Sequence, residues 1–162
     1  MITQKELKEI LHYDPETGYF IWLKLIGKRA VIGSRAGSKC IDGYIYIHIE
    51  KKKYRAHRLA WFYMTGKWPK ETDHINHVRH DNRFCNIRDV TCSQNMKNRP
   101  LKKNNKSGFT GVCWHKRDEV WRIQIKPENE KIKTLGFKDK FEAICARISA
   151  NNKYNFHPNH GK

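Results

Sequence analysis

The sequence predicts an α+β protein of small modules: an N-terminal antiparallel sheet, a central strand–loop–strand–helix unit, and a C-terminal three-stranded sheet covered by a helix. Three observations carry this. Apolar residues alternate with period two in short runs bounded by turn signals, two segments switch to helical spacing, and one basic stretch without apolar periodicity divides the chain. The modules span residues 1–54, 55–98 and 107–158, with 99–106 as a basic linker.

The first element is a short amphipathic helix with Leu7, Ile10 and Leu11 on one face. Asp14-Pro-Glu-Thr-Gly18 reads as a turn that leads into the aromatic-rich Tyr19-Phe-Ile-Trp22. Asp42-Gly43 is a second turn signal. The strand after it shows Ile45, Ile47 and Ile49 to one side and Tyr44, Tyr46 and His48 to the other, so residues 14–54 form one small twisted sheet. From Tyr54 the period changes: His57, Ala60, Trp61 and Met64 fall at helical spacing until Gly66 and Pro69 end the helix. His57 lies on the apolar face of that helix, and core packing is its preferred reading.

Residues 97–106 carry five positive charges and no negative one. They read either as a solvated tether or as an arm that follows phosphates through Lys102 and Lys103. Beyond them, Gly108 to His115, Val120 to Lys126 and Lys131 to Phe137 form a meander closed by turns at Arg117-Asp118-Glu119 and Pro127-Glu128-Asn129. In its middle run Trp121, Ile123 and Ile125 share a packing face, while Arg122, Gln124 and Lys126 share a polar one. The covering helix starts at Asp139, which forms a capping box with Glu142; Phe141, Ile144, Cys145 and Ile148 supply its apolar stripe.

Composition narrows the function. Lys and Arg total 33 against 16 Asp and Glu, a net charge of +17 over 162 residues, which points to a polyanionic partner. Five Trp, seven Tyr and seven Phe supply real cores and argue against wholesale disorder. No apolar stretch approaches the roughly 18 residues of a membrane span. The charged start MITQKELKEILHYD lacks the apolar run of a secretory signal, so a cytoplasmic location is expected. Cys40, Cys85, Cys92, Cys113 and Cys145 show no C-x-x-C spacing and read as reduced thiols.

The chemistry concentrates between the second helix and the linker. Thr72-Asp-His-Ile-Asn76 precedes a polar loop with Asp81-Asn82-Arg83, then Asn86-Ile-Arg-Asp-Val-Thr91 and Cys92-Ser-Gln-Asn-Met-Lys97. An acid beside a histidine is thus followed by Asn86, 12 residues after His74, and by Asn95 9 residues later. On a regular strand Asp73 and His74 point to opposite faces, so the strand must distort or end there. A zinc reading of His74, His77, His80, Cys85 and Cys92 lacks the paired ligand spacing that zinc sites use.

This combination resembles the phage HNH homing endonucleases. The likeness runs from His57-Arg58-Leu59 through Thr65-Gly66-Lys67-Trp68-Pro69 and Asp73-His74-Ile75-Asn76 to Asn82-Arg83, Asn86-Ile87-Arg88 and Ser93-Gln94-Asn95, and Asp14-Pro-Glu-Thr-Gly18 with Phe20 and Trp22 resembles the family's N-terminal segment. Gly111-Val112, Trp121-Arg122, Leu135-Gly136-Phe137 and the closing helix resemble an ethylene-response-factor (APETALA) type DNA-binding domain, although two arginine positions of the plant pattern are here Thr110 and Cys113.

The resemblance implies a central ββα-metal unit that hydrolyses one phosphodiester of double-stranded DNA. It makes His74 the general base, Asn86 the residue that holds the loop, and Asp73 and Asn95 the oxygen ligands of one Mg²⁺ or Mn²⁺ ion, hard donors for a hard cation. Arg79, Arg83, Arg88, Lys102, Lys103, Arg117, Arg122, Gln124, Lys126 and Lys133 are the expected DNA contacts. A phage or mobile-element origin and a monomer without small-molecule cofactor or membrane partner complete the expectation. The rival readings are a DNA-binding regulator on a catalytically silent scaffold and an RNA-binding protein.

Overall fold

Residues 2–27, 30–127 and 130–162 are described by a computed structural model. The chain divides into two compact units, Met1–Thr91 and Cys92–Lys162. The first holds helices α1 (Gln4–Ile10) and α2 (Ala56–Thr65) and strands β1 (Leu11–Asp14), β2 (Tyr19–Trp22), β3 (Arg35–Ala36), β4 (Ser38–Lys39), β5 (Ile45–Ile49), β6 (Lys52–Arg55), β7 (Glu71–His74) and β8 (Ile87–Val90). The mixed α and β architecture with small antiparallel sheets is as the patterning predicts.

The N-terminal sheet is two sheets, ordered β1-β2-β3 and β4-β5-β6, because β3 and β4 are only two residues each and the chain passes from one sheet to the other between them. The alternation of β5 holds: Ile47 and Ile49 are buried and His48 is exposed. On α2 the buried face is Ala56, His57, Leu59, Ala60 and Phe62, whereas Met64, expected on the apolar face, is exposed.

Among the described residues, one core joins residues 1–54 to the segment after them. Leu7 and Leu11, Phe20 and Trp22, Ile47 and Ile49, Leu59 and Phe62, and Ile87 belong to one hydrophobic core. Sheets of two- to five-residue strands bury too little area to stand alone, so the N-terminal strands and the β7–β8 pair share one interior.

The second unit holds α3 (Cys92–Met96), β9 (Val112–His115), β10 (Val120–Ile125), β11 (Lys133–Phe137) and α4 (Lys140–Lys153). The sheet is the expected antiparallel meander, ordered β11-β10-β9. Its first turn places Glu119 at positive φ; of the second expected turn, Glu128 and Asn129 lie outside the described residues. Ile123 and Ile125 are buried and Gln124 and Lys126 exposed, as parity predicts. Asp139 caps α4 by accepting from the Glu142 N–H at 2.9 Å.

The apolar stripe assigned to α4 does not face the sheet. Phe141 is 72% exposed and Ile148 43%, and Cys145 is exposed too; the buried positions are Ala143 and Arg147, with Ile144 partly buried beside them. A small residue at 143 lets the helix approach the strands closely. One turn on, Arg147 reaches the Gln124 carbonyl and the Phe156 ring. Its guanidinium fills the space above Gly111, where a Cβ would lie 2.6 Å from Nη1.

The stretch read as a linker is built into this unit. Asn98 is buried, His157 and Gly161 donate backbone bonds to the carbonyls of Lys97 and Arg99, and the Asn105 side chain accepts from Ser107 and Gly108. A C-terminal tail that pairs with residues 97–99 leaves little freedom for a tether there.

Candidate active site

Strands β7 and β8 pair antiparallel with Asp73 opposite Arg88 and His74 opposite Ile87. β7 ends at His74, so the two neighbouring side chains leave it on opposite sides. Asp73 turns to its cross-strand partner, where Oδ2 accepts from Arg88 Nη2 at 2.7 Å and from Nε at 3.1 Å. His74 turns inward and is 4% exposed.

The His74 ring sits among aromatic neighbours. His57 meets it edge-on with centroids 4.7 Å apart, and Tyr44 lies 5.1 Å from His57 and 5.9 Å from His74. His74 Nε2 is 3.0 Å from the side-chain oxygen of Asn82. Burial holds the His74 imidazole below its ordinary pKa, against the bond to Asn82 and the charges of Asp73 and Asp81, which raise it. Burial, with the His74 charge next in size, pushes His57 down to about 3. His57 is therefore a neutral core histidine at physiological pH, as its helical position suggested.

The loop between the strands is cross-braced by Asn86. Its Oδ1 accepts from the Asn76 N–H at 3.0 Å, and its Nδ2 donates to Asn76 Oδ1 at 2.9 Å and to the Asp81 carbonyl at 2.8 Å. Asn76 in turn donates to Asp81 Oδ2 at 2.7 Å. Arg83 grips the same carboxylate through Nε and Nη2, which, with Asn76, brings Asp81 down to about 2.

From the other side, the β1–β2 turn abuts this loop. Tyr13 donates its hydroxyl to the Asn82 carbonyl at 2.7 Å, and Phe84 N–H donates to the Pro15 carbonyl at 2.9 Å. Gly18 has φ +74°, and a Cβ there would fall 2.4 Å from the carbonyl carbon of Asn82 and the nitrogen of Arg83. Only glycine permits that approach.

The predicted site residues thus separate into two groups. Asp73, His74, Asn86, Arg79, Arg83 and Arg88 lie together in the first unit; Asn95, on α3, lies in the second with Lys102, Lys103, Arg117, Arg122, Gln124, Lys126 and Lys133. Several predicted DNA contacts hold acidic or carbonyl partners. Arg79 donates to the Asp42 carbonyl and lies over Tyr44, Arg122 pairs with Asp118, and Lys133 pairs with Glu130. Lys102, Lys103, Arg117, Gln124 and Lys126 are exposed.

Residue spacing did not single out Asn82, Tyr44, Arg35 or Lys39. Arg35 stacks over Tyr19 at 3.4 Å and, with Lys39, His80 and Arg83, lines an open cleft of about 670 Å³ beside the loop. The clue in the sequence was the density of Arg, Lys and aromatic residues, which does not say which of them converge.

The Asp73 carboxylate oxygens are hard donors and fit a Mg²⁺-class cation. Among the described residues no three His, Cys, Asp or Glu side chains group as a metal site, so the zinc set of His74, His77, His80, Cys85 and Cys92 is not assembled. No helix among the described residues is long and apolar enough to cross a membrane.

The antiparallel β7–β8 pair carries adjacent Asp and His beside a cross-braced loop, consistent with the strand pair of a ββα HNH unit. The family comparison agrees: residues 54–97 match the model of the HNH endonuclease family, 44 of the 162 residues. No curated protein and no solved structure matches the chain.

Proposed function

We propose that the chain is a metal-dependent HNH endonuclease of the homing type that cuts double-stranded DNA, with DNA-binding surfaces on both units. The observation that carries this reading is the buried, neutral-leaning His74 beside Asp73, held against a loop that Asn86 braces, within the segment similar to HNH endonucleases. A Mg²⁺ or Mn²⁺ ion held by the Asp73 carboxylate would offset the negative charge that develops on the scissile phosphate.

The chain's own residues do the rest. His74, neutral, accepts a proton from the attacking water. Asn86 keeps Asn76 and Asp81 in place so that the loop does not drift from the histidine. The products are a 5′-phosphate and a 3′-hydroxyl. Arg35, Lys39 and His80 along the cleft, and the exposed Lys102, Lys103, Arg117, Gln124 and Lys126, carry the duplex; Gln124 is on β10, with Arg117 and Lys126 just beyond its ends, in the segment that resembles an ethylene-response-factor domain. One site per monomer implies a nick, a double-strand break takes two molecules or two sequential events, and a phage or mobile-element origin follows from the resemblance.

Supercoiled plasmid incubated with the purified protein tests this. Nicked product with Mg²⁺ or Mn²⁺ and none with EDTA supports it; tight duplex binding without cleavage of plasmid or of a randomised-site duplex library leaves a DNA-binding regulator instead. Phosphate contacts of this number make affinity fall by about 10³–10⁵ between 50 and 200 mM salt.

A further inference from the structure

We propose that Ile41, at the tip of the β4–β5 hairpin, is an apolar wedge that inserts between neighbouring base pairs and kinks the duplex beside the candidate site. This rests on the reading that the chain acts on double-stranded DNA.

Ile41 is fully exposed, at 109%, the highest value of any large apolar side chain among the described residues. Its backbone is firmly held. Gly43 N–H donates to the Cys40 carbonyl at 2.8 Å and Cys40 N–H to the Tyr44 carbonyl at 2.9 Å, which closes a three-residue loop with Gly43 at φ +83°. Asp42 braces it again: Oδ1 accepts from the Tyr44 N–H at 3.1 Å and Oδ2 from the Tyr46 hydroxyl at 2.7 Å. Arg79, from the loop after β7, donates to the Asp42 carbonyl at 2.7 Å.

Turn chemistry accounts for Asp42, which bonds the backbone two residues on, and for Gly43, which takes the left-handed conformation. It does not account for an isoleucine. The first central position of such a turn accepts most residues, and this side chain buries no surface there. Presented to stacked bases by a rigid turn, it has the character of the apolar wedges that enter a base step and kink a duplex.

The surroundings name the occupant. Lys39 precedes the turn and Arg79 stands against it, both exposed, and Lys39 lines the cleft with Arg35, His80 and Arg83. Asp42, the acid of the turn, has its two oxygens engaged by Tyr44 and Tyr46. Phosphates flank every base step, so cations around one apolar tip match a duplex. The tip is also near the candidate base: Tyr44, three residues on, has its ring 5.9 Å from that of His74. Insertion would unstack the duplex within a few base pairs of the bond to be cut.

A wedge prefers DNA that is already kinked, because a bulge removes much of the unstacking cost. Kd is measured in EDTA, so that nothing is cut, for a fully paired duplex and for the same duplex with a central two-nucleotide bulge. Wild type is expected to bind the bulged duplex about 10-fold tighter, a part of the cost of unstacking one step. Ile41→Leu keeps that ratio, and Ile41→Ser brings the two affinities within about twofold of each other. Leu25→Ser, which removes a side chain of the same unit that is 72% exposed, leaves the ratio at the wild-type value. These exposed positions are tolerant, so the variants fold as the wild type does.

A wild type without the preference overturns the proposal. So does a preference that survives Ile41→Ser, or one that Leu25→Ser removes equally. A wild type that nicks plasmid but shows no preference loses the wedge and keeps the nuclease reading. A preference without any cleavage keeps the wedge and loses the nuclease reading, and a wild type that binds neither duplex loses both.

Discussion

Asp73 and Arg88 face each other across β7 and β8, and two nitrogens of Arg88 converge on one oxygen of Asp73. Their side chains are 10% and 29% exposed, so the pair is partly withdrawn from water. An arginine that resembled a phosphate contact thus lies on the carboxylate proposed to take a cation. Its guanidinium fixes which way that carboxylate is turned.

Arg88→Ala leaves the Asp73 carboxylate partly buried without this cation, at a cost of about 1–3 kcal/mol. Urea unfolding measures it. Because Arg88 is occupied, the salt slope of DNA binding should move by much less than the unit or so expected for losing one phosphate contact.

Gly18 and Gly33 have similar positive φ, yet only Gly18 is crowded. Gly33→Ala should cost the left-handed backbone penalty alone, about 1–2 kcal/mol. Gly18→Ala adds a clash with the Asn82–Arg83 backbone, so it should cost more and should lower cleavage as well. Parallel melting curves and nicking assays on the two variants separate these effects.

His57 supplies a pH dependence with a definite sign. Its folded pKa of about 3 lies below the unfolded value of 6.5, so the folded state disfavours its protonated form. The contribution is fully present above pH 6.5 and is lost as pH falls towards 3, at about 1.4 kcal/mol per pH unit. The stability gap between wild type and His57→Phe should shift in favour of the variant from pH 6.5 to pH 5, before most carboxylates titrate. A pH-independent gap contradicts the assignment.

On α4 the exposed and buried positions predict opposite sensitivities. Phe141→Ser should change stability by no more than about 0.5 kcal/mol. Ala143→Leu, against β10 with no room to expand, should cost about 1–3 kcal/mol. Denaturant melts of the two variants test the orientation of the helix.

These contrasts mark where the sequence is legible. Strands β5 and β10 were readable because alternation fixes which side chains go in, and the residues picked by spacing, Asp73, His74 and Asn86, lie on the β7–β8 pair and the loop that joins it. Helix α4 misled because Phe141, Cys145 and Ile148 fall at helical spacing, while the sheet accepts the smaller Ala143 and an arginine whose charge ends on a carbonyl. The shared core of the first unit depends on contacts such as Leu7 and Phe20 with Leu59 and Ile87, which no local pattern encodes. The contact of Asn82 with His74 stayed hidden because an asparagine in a polar loop looks the same whether it meets water or a histidine.

The most direct measurement is single-turnover cleavage by wild type and His74→Ala on one DNA preparation with Mg²⁺, with duplex binding measured on the same samples. Cleavage is expected to fall by about 10²–10⁴ while Kd stays within about twofold, since the proposed role of the histidine is on the proton of water and not on the duplex. Equal cleavage by the two proteins would contradict a role for His74 as the base.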